Sequence, residues 1–458
     1  MGKKIIFRMI LLFILLFQQP LSGKPGENAL EKIPEKQKIT IFFTNDLQAH
    51  LLPDRDGRGG LARIAYIVKE EKKLNPNTIL VDAGDMSVGT AFGAETKGEA
   101  VFRVMNVAGY DAGTYGNHEF DQWGLEQARR YQEIAKFPLL SCNIYERGGK
   151  FFATEYKIFS MKSLRLALTG VTNTNLKEGK SCSNIYDLSL CQPKQEIKRF
   201  KEAHSGEYDL LIVISHQGKI KDSFLAREPL GIALIVGGHN EDNFCRQEPS
   251  TKTWICQAGH FGHFLGRCEL FWNHKTRTVS DIRCETIPIT KEIPEDQATK
   301  SAIARELEEL NKTRNLLRVI GTSETEWNET WTGNWIAELL KSEGKADLGI
   351  INTYGVRSGI YPGVITPMDI YEIDPFEDRI CVFEIDASEI GKIKSRGQFY
   401  FSRANKSAKG KPYKIATVDY ICKNDFKKNC SAKNCSQELL RDKILKKVEK
   451  DKGFKYFP

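Results

Sequence analysis

Four short apolar runs each end, without an intervening turn, in residues that can hold a ligand. Ile39 to Phe43 runs into Thr44-Asn45-Asp46, and Thr78 to Val81 runs into Asp82-Ala83-Gly84-Asp85. Leu211 to Ile214 leads into Ser215-His216, and Ile232 to Val236 leads into Gly237-Gly238-His239. Continuous apolar runs of this length are the pattern of strands buried on both faces. Helical periodicity lies between them, as over Leu61 to Glu71 and Gly124 to Ile134. The alternation predicts an α/β layered fold, in which the loops at strand ends carry the chemistry.

At 458 residues the chain is long enough for two domains. The first is expected over residues 38–288. A helical linker is expected over 289–318, where Pro294 and Glu295 could start a helix and Ala298 to Leu310 has helical spacing with many charges. A second α/β domain is expected over 319–458, with a helix at Asn334 to Ser342 and strands at Leu348 to Ile351 and Ile380 to Ile385.

The first residues place Lys3, Lys4 and Arg8 before the apolar run Met9 to Phe17, followed by Ser22 and Gly23. This predicts a secretory signal peptide over 1–23, because the run is too short to span a bilayer. No second spanning stretch follows, so a periplasmic or extracellular protein without a membrane span is expected. Eleven cysteines fit an oxidising compartment. Cys182/Cys191, Cys245/Cys256, Cys268/Cys284 and Cys430/Cys435 could each close a short loop, and the pairing stays open at this level. The net charge of +8 is spread along the chain and densest near Lys423 to Lys447. It reads as a solvated face, since no module for binding a nucleic acid polymer is present. The oligomeric state is not legible.

Two divalent metals can clamp a phosphoryl group and activate a bridging hydroxide, which requires a shared carboxylate and further Asp, His, Asn or Gln ligands. The strand ends supply such a set: Asp46 and Gln48, Asp85, Asn117, His216, then His239 and Glu241. His118 follows Asn117 directly, and Asp121 lies three residues further on.

The runs ITIFFTNDLQAH, LVDAGD, YGNHEFD, ISHQG and GGHNE together resemble the calcineurin-like metallophosphoesterases. Among these the chain is most similar to the bacterial 5′-nucleotidase and UDP-sugar hydrolase group. QAGHFGHFLG resembles the hairpin after the last ligand strand of that group. Thr332-Gly333-Asn334, INTYGVRSGI and GVITPMDIYEIDPF resemble its C-terminal domain. The resemblance implies a four-layered α/β sandwich with a second α/β nucleotidase domain. It also implies an exported phosphohydrolase acting on a nucleotide by attack of a metal-bridging hydroxide. Asp85 would bridge the ions, His118 would act as general acid, and Asp121 would orient it. Asn352 and Arg357 would contact substrate, and Phe376 would stack on a base.

The chain departs from that pattern in places. Gln48 stands where the group usually has His, and Glu241 where it usually has His or Gln. A first site of Asp46, Gln48, Asp85 and Glu241 is all oxygen, which favours manganese or magnesium over zinc. Asn328 replaces a common Arg, and Thr353 and Tyr354 replace glycines. The competing expectations are a degenerate relative that binds a nucleotide or partner without catalysis, a UDP-sugar hydrolase or cyclic nucleotide phosphodiesterase, and a sulfur-oxidation hydrolase.

Overall fold

The computed structural model describes residues 36–173, 187–404, 412–428 and 434–454, with the backbone of 182–185. The expected signal peptide at 1–23 lies outside these residues, as do Cys430 and the side chain of Cys182. Twelve of the described strands make two six-stranded sheets. In chain order they are β1 (Lys36–Thr44), β2 (Thr78–Asp82), β3 (Ala112–Thr114), β4 (Leu139–Leu140), β5 (Tyr156–Met161) and β6 (Leu164–Thr172). Then follow β7 (Leu210–His216), β8 (Ile232–Gly237), β9 (Asn243–Gln247), β10 (Trp254–Ala258), β11 (Phe264–Asn273) and β12 (Thr278–Pro288). The spatial orders are β12-β11-β1-β2-β3-β4 and β9-β10-β8-β7-β6-β5. Strands β1 to β4 are parallel, as are β6, β7, β8 and β10, while β11, β12, β9 and β5 add antiparallel edges.

The unbroken apolar runs are explained by burial on both faces. Ile39, Ile41 and Phe43 of β1 share one buried cluster with Ile212 and Ile214 of β7, between the sheets. The other face of the first sheet, Phe42 and Leu80, packs with Leu61, Ile64 and Phe102 from the overlying helices. The other face of the second, Leu211, Val213 and Ile235, packs with Ile197 and Phe200. Each fully buried large apolar side chain contributes about 1.5–3 kcal/mol, so the four layers follow from having two two-sided sheets to cover.

The connector folds as the helix Gln297–Arg314, started by Asp296, whose carboxylate accepts the Thr299 N–H at 2.8 Å. Ala302, Ile303 and Leu310 join the core of the first domain. In the second domain, β13 (Leu348–Asn352), β14 (Arg379–Ile385), β15 (Phe399–Phe401), β16 (Tyr413–Val418) and β17 (Cys435–Leu439) pair in the order β15-β13-β16-β14-β17. Its helix expected from Asn334 begins earlier, at Glu329. Asn328 caps it by accepting the Trp331 N–H at 2.9 Å, and Gly333 lies inside the helix against the Tyr400 ring, where a Cβ would fall 2.1 Å from ring carbon. A glycine that reads as a stop is here a point of close packing.

Disulfides join Cys268 to Cys284 across β11 and β12, and Cys381 to Cys435 across β14 and β17. The second corrects the expected Cys430/Cys435 loop. Cys381 and Cys435 are register partners with Cα atoms 3.9 Å apart, a relation set by strand pairing across a separation of 54 residues. Cys245 and Cys256 also face each other across paired strands, as free thiols. No helix of the described residues is long and apolar enough to cross a membrane.

Candidate active site

The parallel strands β1, β2, β3, β7 and β8 all end on one edge of the sandwich. Just past their carboxyl ends lie Asp46, Asp85, Asn117 and His239, with His216 the last residue of β7. Five residues of the expected set have left-handed backbone: Asp46 (φ 50°), Gln48 (φ 43°), Asp85 (φ 57°), His239 (φ 83°) and Glu241 (φ 58°). Such conformations cost roughly 1–3 kcal/mol each away from glycine and concentrate at functional sites. They turn the chain sharply back at the strand ends, aiming successive side chains into one cleft.

Close approach of the loops depends on Gly84 and Gly116. A Cβ on Gly116 would lie 2.0 Å from Asp85 Oδ1, and one on Gly84 would lie 2.8 Å from His216 Nδ1. The Asp85 loop hangs from Glu119, a buried carboxylate that accepts the N–H groups of Asp85 (2.9 Å), Met86 (2.8 Å), Ser87 (3.1 Å) and Gly116 (2.7 Å) and the Ser87 hydroxyl (2.9 Å). Sequence reasoning quoted Glu119 within its motif but gave it no role; the sign was an acid directly after His118 in a chain already rich in ligand types.

Asp85, His216 and His239 each offer a ligand atom within 4.8 Å of the others. His216 is fully buried; its Nδ1 donates to the Ala83 carbonyl at 2.7 Å, which fixes the ring. Its Nε2 lies 2.9 Å from Asp85 Oδ2 yet forms no hydrogen bond. His239 Nδ1 lies 3.0 Å from Asn117 Oδ1. Burial and the His216 charge push His239 down to about 4, so it is a neutral donor at neutral pH. Burial opposes ionisation of both Asp85 and His216, but their mutual attraction wins: Asp85 is held below the usual carboxylate range and His216 is raised to about 10. Two imidazoles, a carboxylate and an amide oxygen are a donor set that suits a divalent ion such as manganese or zinc.

His118 sits at the mouth of this cluster. Its Nδ1 is 3.0 Å from Asp121 Oδ2, and its Nε2 is 3.9 Å from Asp85 Oδ2. Burial disfavours its charge, but Asp85 and Asp121 outweigh that and raise it to about 9. At neutral pH it is therefore an acid with a proton to give.

The other expected ligands are bonded differently. Asp46 is buried, and its Oδ2 accepts from Asn45 Nδ2 at 2.7 Å and the His239 N–H at 2.9 Å. Burial raises its carboxyl to about 7, with His216 countering. Gln48 Nε2 donates to Glu241 Oε1 at 2.8 Å, and Gln48 Oε1 accepts from Arg357 Nη2. Arg357 Nη2 also lies 3.0 Å from Glu241 Oε1. His50 faces away from the cluster: its Nδ1 lies 2.8 Å from the Gln48 carbonyl, its ring stacks on Phe261, and burial pushes it down to about 3.

Of the residues expected from the second domain, Arg357 reaches the cluster. Asn352 ends β13 before a short turn at Thr353–Gly355, and Phe376 is half-buried on the approach to β14; among the described residues neither is hydrogen-bonded to the carboxylates and imidazoles of the cluster. Phe426, a possible second aromatic, packs on Phe383 in the domain core. Tyr420 is 55% exposed, and its phenol is raised by burial and by the charges of Asp425 and Asp121.

The calcineurin-like phosphoesterase family profile matches residues 39–240, and that of the 5′-nucleotidase C-terminal domain matches residues 310–398. A protein of Vibrio cholerae named 5′-nucleotidase is 27% identical over 412 residues, 77% of this chain and 74% of that protein. Protein UshA of Yersinia enterocolitica is 27% identical over 432 residues, 81% of this chain and 78% of that protein. The crystal structure of a 5′-nucleotidase precursor from Thermus thermophilus superposes with a TM-score of 0.78 at 20% identity, covering 92% of this chain and 98% of that one. The chain belongs to the calcineurin-like phosphoesterases that carry a 5′-nucleotidase C-terminal domain, a family of phosphoester hydrolases.

Proposed function

We propose that this chain is an exported, metal-dependent phosphohydrolase that releases phosphate from nucleotides. The observation that carries the reading is the convergence of Asp85, His216 and His239 around a buried nitrogen without a hydrogen-bond partner, beside a protonated His118. The family implies divalent metal ions, and Asp85, Asn117, His216 and His239 are the residues that would hold one. Such an ion, when bound, supplies Lewis-acid polarisation of a phosphoryl oxygen and acidifies a water.

The chain's own residues do the rest. His118 donates a proton to the leaving oxygen or binds charge developing on the phosphoryl group, and Asp121 keeps its ring oriented through Nδ1. Arg357 presents its guanidinium to the phosphate, Asn352 binds the nucleoside part, and Phe376 stacks on the base. Export is supported by the N-terminal pattern at 1–23 and by the Cys268–Cys284 and Cys381–Cys435 disulfides, which persist in oxidising compartments.

A second reading, a relative that binds nucleotides without hydrolysing them, is favoured by one observation: Gln48 and Glu241 are bonded to each other and to Arg357. Phosphate release from nucleoside monophosphates, UDP-sugars and cyclic nucleotides, with manganese or with EDTA, separates the two. Release from the monophosphates that manganese supports and EDTA abolishes is expected. Release confined to UDP-sugars or cyclic nucleotides would move the leaving group, and no release from any ester at saturating metal would leave the binding protein.

A further inference from the structure

We infer that the Arg357 guanidinium stands in the place of a first metal ion, so that this chain works with one ion rather than two. The inference rests on the hydrolase reading above and concerns how its site is built. The observation is where Arg357 docks among the donors expected at the first position. Gln48 has one oxygen, and it accepts from Arg357. Glu241 Oε1 accepts from both Gln48 Nε2 at 2.8 Å and Arg357 at 3.0 Å, and its Oε2 lies 3.6 Å from His260 Nδ1. Asp46 Oδ2 accepts from Asn45 and from the His239 backbone. An ion held by these residues would have to share Gln48 Oε1 and Glu241 Oε1 with the Arg357 guanidinium, so they do not fit one while Arg357 is docked. The second set does fit: Asp85, His216 and His239 hold ligand atoms within 4.8 Å of one another, and His216 Nε2 is buried without a hydrogen-bond partner.

Charge bookkeeping points the same way. Glu241 carries a negative charge where the resembling group has a neutral His or Gln, and Arg357 carries the matching positive one. A guanidinium is always charged, planar and able to bridge two acceptors, so it can neutralise this corner as an ion would. A cation added to the same oxygens would meet the guanidinium charge at contact distance. Among the described residues its Nε and Nη1 have no acceptor, which leaves two donor groups for a phosphate oxygen.

The experiment is manganese stoichiometry by mass spectrometry and spin resonance on the mature protein, wild type beside Arg357→Ala, with thermal melts to confirm folding. The wild type should hold one ion per chain with the spectrum of isolated manganese(II). Arg357→Ala should take up a second ion and show spin coupling between the two. Two coupled ions in the wild type would overturn the inference alone, as would an Arg357→Ala protein that folds and still binds one. No ion in either protein would overturn the hydrolase reading together with it. Because Arg357→Ala can add an ion only if the guanidinium was excluding it, a simple loss of substrate contact does not reproduce this result.

Discussion

Asp85, His216 and His239 bring ligand atoms within 4.8 Å of one another, whereas Gln48 and Glu241 are bonded to each other and to Arg357. Both halves share the same frame. Each is carried on loops past parallel strands, and each contains residues forced into left-handed backbone. The difference is chemical identity at two positions, Gln48 and Glu241, together with an arginine supplied from more than a hundred residues further along the chain. The backbone geometry of such a cleft therefore does not fix how many ions it holds. The polar atoms do, and they can be re-paired by a side chain from another domain.

The largest expected effect lies in the open half. Asp85→Ala or His216→Ala should reduce both bound metal and phosphate release to the blank, measured on the same preparation. Retained metal in both variants would erase the contrast between the halves. His118→Asn should lower kcat by about 10²–10⁴-fold with metal content unchanged, if His118 is the general acid; an unchanged kcat would reassign it. Glu119→Gln removes the full charge from the acceptor that hangs the Asp85 loop. Metal affinity should weaken by about 10–100-fold, the usual cost of losing a group that positions a ligand, and calorimetric titration with manganese would register it. Gln48→Ala, in the paired half, should change metal affinity far less than Asp85→Ala, His216→Ala or Glu119→Gln.

The smallest effect is in stability, far from the cleft. Burial raises Asp374 to about 7, Arg441 offsetting only part of this, and both its carboxylate oxygens lack hydrogen bonds. A folded-state value above the unfolded one means the ionised carboxyl opposes folding. That cost is absent well below pH 4, builds up as pH rises from about 4 to about 7, and is fully present above that. Asp374→Asn should therefore raise Tm more at pH 8 than at pH 5, by roughly a few degrees.

The clustering of Asp85, His216 and His239 was legible because its signal is local. An apolar strand that ends in Asp or His is visible in a handful of consecutive residues, and five such segments are hard to explain by packing. The layered fold followed from the same runs. What was not legible depends on contacts between distant segments. The Arg357 bond to Gln48 spans 309 residues. The Cys381–Cys435 pairing follows strand register, which loop length does not report. The role of Glu119 depends on which N–H groups the folded loop turns toward it. The Glu329–Gly344 helix starts five residues before the expected Asn334, at the Asn328 cap, and takes in Gly333 packed against Tyr400.

The most direct test is a crystal of the mature protein soaked with manganese and phosphate, with anomalous diffraction recorded at the manganese edge. One peak among Asp85, Asn117, His216 and His239, with phosphate beside it within reach of His118 and Arg357, is the result expected here. Saturating manganese with no peak at those four residues would contradict the account.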